Sequence, residues 1–431
     1  MTRPSAAIAC AAFACAMFAC AAEPQYKHAD AGTNGSGSGG RGGTGTGGAG
    51  TGGTGTGGTG TGGTLADTTT SAYDADDPNI QYTGRVGFMN PKLPRFDLGG
   101  TTITARFSGT AVAVSLKDEF RYGKYVNSYE AIVDGQRVTT LVPQRDVTKY
   151  VIANALSPGD HQITLFKRTE SAAGAGYFVG FSFAGEILPP PARPTRRIEF
   201  VGDSITAGAG MDAVNGAPAC NAPPDGWGLP TENAYQAFGP VIARELGAEI
   251  HLMGISGIGL VRNYSNTYDA RTLPQVYDFY YPEVMDSPGK MDQPRWDATQ
   301  RMAWVPDAIV IGLGTNDFGQ GDPSDTTQPY PHPPLTAGAF AAGHIAFADT
   351  LRGYYPNAHI FLISSPAVID PGLEGGLKMA EDHFVAAGDT KVHQVVIPRI
   401  AGRGCATHPD ADQHAEIARA LSPVIKTALG W

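Results

Sequence analysis

Residues 188–193 read Leu-Pro-Pro-Pro-Ala-Arg, and the hydrophobic pattern changes across them. A proline-rich run is stiff and continues neither a helix nor a central strand, so it serves as a joint between separately folded parts. Before it, short apolar runs alternate with turn residues. Residues 103–107 and 111–116 have strand patterning. Residues 130–133 and 136–138 flank Asp134-Gly135, a pair that tolerates the positive φ of a two-residue hairpin. A second turn at 157–160 separates the runs 150–152 and 161–166, and residues 178–183 close the set. Short strands at this spacing predict an all-β jelly roll or sandwich over 79–187, followed by a connector over 188–196.

After the joint, strand-like runs at 198–201, 249–253, 308–313, 359–363 and 392–397 alternate with helical stretches. One helix is expected to open at Thr231 and stop at Leu246-Gly247. Another covers about 337–351. The last covers 412–429, with Ile417, Leu421, Val424 and Ile425 on its apolar face. Strand–helix alternation predicts an α/β domain over 197–431, three layers deep around a parallel sheet.

The N-terminal residues belong to neither domain. Residues 32–64 are almost entirely Gly, Thr, Ser and Ala, which bury too little apolar surface to offset ordering entropy. Residues 22–78 are therefore expected to be linker. Residues 1–21 have the pattern of an export signal: Arg3, then an apolar stretch too short to span a bilayer. Met17-Phe18-Ala19-Cys20 resembles a lipobox that would leave Cys20 lipidated and attached to a membrane. Cleavage at an Ala-x-Ala-like site with plain secretion is the alternative. Both place the folded part outside the cytoplasm. There Cys220 and Cys405 suit a disulfide, two buried free thiols being the other possibility. No His/Cys cluster has zinc spacing. With a net charge of −10 and no basic cluster, nucleic acid is not an expected partner.

Four short strings carry the chemistry. Gly202-Asp203-Ser204-Ile205-Thr206 follows the first strand-like run, which puts Ser204 at the strand-end edge where open α/β sheets keep their sites. Ser256-Gly257, Gly314-Thr315-Asn316-Asp317 and His408-Pro409 follow in order. This series resembles the SGNH (GDSL-type) hydrolases from about Arg197 onward. A β-sandwich ahead of it resembles carbohydrate esterase family 2. So do Tyr82-Thr-Gly-Arg85, Thr231-Glu-Asn-Ala-Tyr235, Ile255-Ser-Gly-Ile-Gly259, Val261-Arg-Asn-Tyr264 and Leu313-Gly-Thr-Asn-Asp-Phe318, and the cysteine pair fits as well. The resemblance implies Ser204 as nucleophile and His408 as base. It implies an oxyanion hole from the Ser204 amide, the Gly257 amide and the Asn316 side chain. Asp203 and Asp317 are expected to support loops.

One departure stands out. The positions two and three before His408, where such enzymes carry an aspartate, are Ala406 and Cys405. Members of this family can use a dyad in which a backbone carbonyl orients the histidine, and a dyad is expected here. A carboxylate from elsewhere, Asp225 or Asp410, is the alternative, as is a weakened enzyme. His414 is the competing base, expected on a helix surface or against the loop. Trp227, Tyr264 and Trp296 are candidate sugar platforms, and Tyr268 and Tyr277 lie in the same class of loop; packing of a loop is the other reading for each. The resemblance implies removal of O-acetyl groups from polysaccharides such as xylan or glucomannan by a cofactor-free monomer. The competing functions are an esterase or lipase of small or lipid esters, and a glycan-binding surface protein with a spent esterase domain.

Overall fold

The structure is a computed structural model, and it describes residues 65–221, 229–266, 271–282 and 294–431. The signal, Cys20, most of the expected linker, Asp225, Trp227 and Tyr268 lie outside these residues.

The first nine strands form one antiparallel sheet. They are β1 (Ser71–Asp74), β2 (Gln81–Thr83), β3 (Arg95–Phe96), β4 (Thr102–Asp118), β5 (Tyr129–Val133), β6 (Gln136–Leu141), β7 (Lys149–Ala153), β8 (Gly159–Lys167) and β9 (Gly176–Leu188). The sheet starts inside the stretch expected to be linker. β1 pairs along β9 and places Tyr73 against Phe183, with ring centroids 5.7 Å apart. The runs 103–107 and 111–116 are one strand, not two. β4 passes through Ser108-Gly109-Thr110 with a register shift against β9 and changes neighbours on the way. Its first half pairs β8 and its second half β7. Asp134 and Gly135 turn the β5–β6 hairpin with φ of 51° and 76°, as their chemistry predicts.

The second sheet is parallel, in the order β11–β10–β12–β13–β14. Its strands are β10 (Arg196–Gly202), β11 (Ala248–Gly254), β12 (Ala308–Gly312), β13 (His359–Ile363) and β14 (Val392–Val395). Helices are α1 (Ser204–Ala207), α2 (Phe238–Leu246), α3 (Leu273–Val276), α4 (Ala298–Ala303), α5 (Thr315–Phe318), α6 (Ala337–Tyr354), α7 (Pro371–Ala386) and α8 (Ala411–Leu429). Alternate strand residues face two separate cores. Val201, Ile309, Ile311, Ile360 and Leu362 pack with Phe340, Phe347 and Leu351 of α6 and Leu373, Leu377 and Phe384 of α7. Ile198, Phe200, Val310, Phe361 and Ile363 pack with Ile242 and Leu246 of α2 and Ile417, Leu421 and Ile425 of α8. A sheet covered on both faces is the expected outcome for βα alternation. Val424, expected on the buried face of α8, is instead 38% exposed.

One segment departs from expectation. The helix expected from Thr231 begins only at Phe238. Thr231 to Ala234 spend their backbone groups outward instead: Asn233 N–H donates to Gly208 O (3.0 Å) and Ala234 N–H to Arg168 O (2.9 Å). This string ties the first domain to the loop after Ser204. Helix α7, which holds three glycines, has little local signal and is stabilised by Leu373, Leu377 and Phe384 in the core.

Candidate active site

The register of the parallel sheet fixes where the four motifs meet. Gly202 pairs with both Gly254 and Gly312, so β10, β11 and β12 end at one level. Ser204, Gly257 and Asn316 follow these ends by a few residues and share that edge.

Ser204 opens the one-turn helix α1 and is 5% exposed. Asp203 caps this turn by accepting the Ile205 N–H at 3.0 Å. Burial raises the Asp203 pKa to about 6 against that hydrogen bonding. The turn lies directly on the end of β11, since a side chain on Gly254 would stand 2.4 Å from the Ala207 nitrogen. Gly257 has φ +75°, a left-handed conformation that glycine enters without strain. Asn316 lies inside α5 and is not its cap. Its Nδ2 donates to Ile258 O at 2.7 Å, leaving the second amide hydrogen uncommitted to that bond. Neither the Ser204 N–H nor the Gly257 N–H donates to an acceptor among the described residues. Asp317 accepts the N–H groups of Leu260, Val261 and Arg262 at 2.7–3.1 Å and so holds the loop after Gly257 in shape. Its own pKa is raised by burial.

His408 stands across from Ser204, with Nε2 2.8 Å from the serine Oγ. Its Nδ1 is 3.1 Å from Cys405 O, which also accepts the His408 backbone N–H at 3.0 Å. A carbonyl only accepts, so Nδ1 carries the ring proton and Nε2 is left to accept from the serine hydroxyl. The turn is tight: Ala406 and Thr407 occupy the left-handed region at φ 51° and 60°. Cys405 and Cys220 have their sulfurs 2.07 Å apart. Enclosure lowers the His408 pKa below its ordinary value, against bonds to Cys405 and Ala406 that raise it.

The other candidates lie elsewhere. Asp410 caps α8 and forms a two-point pair with Arg403 (2.6 and 3.0 Å), so its carboxylate is engaged away from the imidazole. His414 is fully buried and not on the helix surface. Its Nδ1 accepts the Phe238 N–H at 3.2 Å, and burial depresses its pKa to about 3. Tyr264 lies beside Gly257, donates its N–H to Gly257 O at 2.8 Å, and is 42% exposed. Tyr277 is buried and donates to Glu199 at 2.6 Å. Trp296 is not at this edge. It is 7% exposed, edge-on to Tyr280, and lines a cavity of about 790 Å³ with Arg197, Glu249 and Trp304. Arg197 pairs with Glu249 where β10 and β11 begin, at the far end of the sheet from Ser204. Bulk and a long sequence separation from the motifs could not distinguish that end from this one.

Glu170, on the turn after β8, is a residue the motifs did not indicate. It is 1% exposed and accepts both the Ser256 N–H (2.6 Å) and the Ser256 hydroxyl. Among the described residues, no cluster of three or more His, Cys, Asp or Glu has the arrangement of a metal site.

Residues 82–191 match the model of the carbohydrate esterase 2 N-terminal domain. Residues 200–427 match that of the GDSL-like lipase/acylhydrolase family. The chain is 30% identical over 365 residues to the cellulase/esterase CelE of Acetivibrio thermocellus, covering 83% of this chain. It spans 40% of the length of that relative. It is 25% identical to an acetylxylan esterase/glucomannan deacetylase of Cellvibrio japonicus, covering 84% of this chain and 93% of that one. Among solved structures, it is similar to a family two carbohydrate esterase from Clostridium thermocellum in complex with cellohexaose. The TM-score is 0.69 and the identity 29%, over 82% of this chain and 99% of that one.

Proposed function

Because the chain belongs to the GDSL-like lipase/acylhydrolase family, in its carbohydrate esterase family 2 branch, we propose that it is an extracytoplasmic carbohydrate acetylesterase. The observation that carries this reading is the 2.8 Å contact between His408 Nε2 and Ser204 Oγ, with the imidazole oriented by a main-chain carbonyl.

The reaction follows from the arrangement. His408 takes the Ser204 proton as the hydroxyl attacks the acetyl carbonyl. Charge develops on the carbonyl oxygen, toward the Ser204 and Gly257 amides, unengaged among the described residues, and the Asn316 side chain. Each such donor is worth about 3–4 kcal/mol. As the intermediate collapses, His408 gives the proton to the departing sugar oxygen, leaving acetyl-Ser204. Water, deprotonated by His408, attacks this ester, and acetate leaves with Ser204 restored. No step uses a metal or organic cofactor. The half-exposed ring of Tyr264 beside Gly257 is the sugar-facing surface of this site. The relatives' names point to acetylated xylan and glucomannan as substrates. The N-terminal signal and the Cys220–Cys405 contact fit an exported protein whose disulfide forms outside the cytoplasm. Cys20 is the site of lipid attachment in this reading, and the protein acts as a monomer.

Acetate release from acetylated xylan, acetylated glucomannan and nitrophenyl esters of rising chain length tests the proposal. Turnover of the glycans, with activity falling beyond short acyl chains, is expected. A preference for long acyl chains would assign a lipase instead.

An imidazole oriented by a main-chain carbonyl has a pH signature. Only neutral His408 acts as base, and enclosure moves its pKa below 6.5. Activity is therefore complete at neutral pH and is lost only as pH falls through that depressed value. The rising limb of kcat/KM should centre below the ordinary imidazole value. A limb centred above it would reveal a carboxylate partner and overturn the dyad.

A further inference from the structure

The Gly257 amide is useful only if the Ser256–Gly257 segment holds its place, and part of its support comes from the other domain. After β8 the chain turns through Arg168, Thr169 and Glu170. The fully buried Lys167 Nζ clamps this turn, donating to Thr169 O (2.7 Å) and Glu170 O (3.1 Å). Glu170 N–H donates to Glu232 at 3.0 Å, and Arg168 reaches Glu232 O at 3.2 Å and the Asp212 carboxylate. The turn is thus fixed to the loops around Ser204 before its carboxylate is used. That carboxylate then takes the Ser256 N–H and hydroxyl, one residue before Gly257.

We propose that Glu170 is a positioning residue for the oxyanion hole, supplied by the β domain: it holds Ser256 so that the next amide, that of Gly257, stays aimed at the tetrahedral intermediate. The proposal rests on the esterase reading and adds a residue to it. Hydrogen bonds to an ionised acceptor are stronger than neutral ones, which favours rigidity. The same negative charge near a developing oxyanion opposes catalysis. A neutral acceptor of equal length therefore separates geometry from charge.

The test compares the parent with Glu170→Ala, Glu170→Gln and Ser256→Ala on nitrophenyl acetate, with hydrogen exchange of the peptide covering Ser256 and Gly257. Glu170→Ala should lower kcat about 100-fold, the scale of one lost oxyanion donor, with KM within about threefold. Its rising pH limb should not move. Glu170→Gln should restore kcat to within about fivefold of the parent, because the Ser256 N–H keeps an acceptor. Ser256→Ala, which removes only the hydroxyl contact, should cost about tenfold. The Ser256 amide should exchange faster in Glu170→Ala and regain protection in Glu170→Gln.

A folded Glu170→Ala with kcat within about threefold of the parent would overturn the proposal. So would a Gln variant as damaged as the Ala variant with a shifted pH limb, since Glu170 would then act on His408 by charge. If Glu170→Ala does not fold, parent-like kcat in both Glu170→Gln and Ser256→Ala would overturn it. A parent inactive on every ester would sink the esterase reading alone. The exchange experiment would still decide: equal protection with and without the Glu170 carboxylate ends the positioning role.

Discussion

Alanine in place of His408 should lower kcat/KM on an acetyl ester by about 10⁴-fold or more, and alanine in place of Ser204 should do at least as much. The two are expected not to add, because the base has nothing to act on without the nucleophile. The expectation follows from the 2.8 Å Nε2–Oγ contact and from the other candidates' engagement among the described residues: His414 is buried and held on the Phe238 amide, and Asp410 is paired with Arg403. Residual rate should come from the oxyanion donors and substrate binding, which neither substitution touches. Far-UV circular dichroism and the melting midpoint should stay near the parent's, since neither side chain fills a core. A His408→Ala variant within tenfold of the parent would assign the base elsewhere.

The second large effect is on stability. Arg85 and Glu199 are a buried ion pair, with side chains 1% and 2% exposed and Nη2–Oε1 at 3.0 Å. Arg85 comes from the β domain, and Glu199 lies in β10, the strand that leads to Ser204. Tyr277 also donates to Glu199 at 2.6 Å, and the Arg85 guanidinium bonds the Tyr277 and Phe279 carbonyls and lies 4.6 Å from the Tyr277 ring centre. Removing one partner leaves a charge buried without its counterpart. Arg85→Leu should therefore cost about 3–5 kcal/mol of unfolding free energy, read from urea denaturation. Replacing both by apolar residues of similar volume should recover most of the loss. Arg85→Leu within about 1 kcal/mol of the parent would show that the pair is solvated in solution.

Much of this architecture was legible in the chain because its signals are local. The Asp134-Gly135 hairpin, the five parallel strands, and the Ser204 turn capped by Asp203 each follow from residues within a few positions of one another. Partnership across the fold was not legible. Thr231-Glu-Asn-Ala-Tyr235 has the look of a helix start, yet its amides are claimed by Gly208 and Arg168, far away in sequence. The runs 103–107 and 111–116 read as two strands, but pairing on both sides carries β4 straight through Ser108-Gly109-Thr110. Trp296 sits on a loop like those at the site, and only the register of β10 against β11 shows that it belongs to the opposite end. Glu170 had no motif. Its importance lies in burial against Ser256, 86 residues away.

The acceptor that orients His408 is a main-chain oxygen, and this changes what mutation can reach. In a Ser–His–Asp arrangement three side chains can each be lost to a single codon change. In the dyad proposed here only two can, because any amino acid at position 405 still supplies a carbonyl. Drift at that position can break the sulfur link or shift the loop, but cannot delete the acceptor. The same economy limits redesign. In that dyad the basicity of the imidazole is altered through the conformation of residues 404–407.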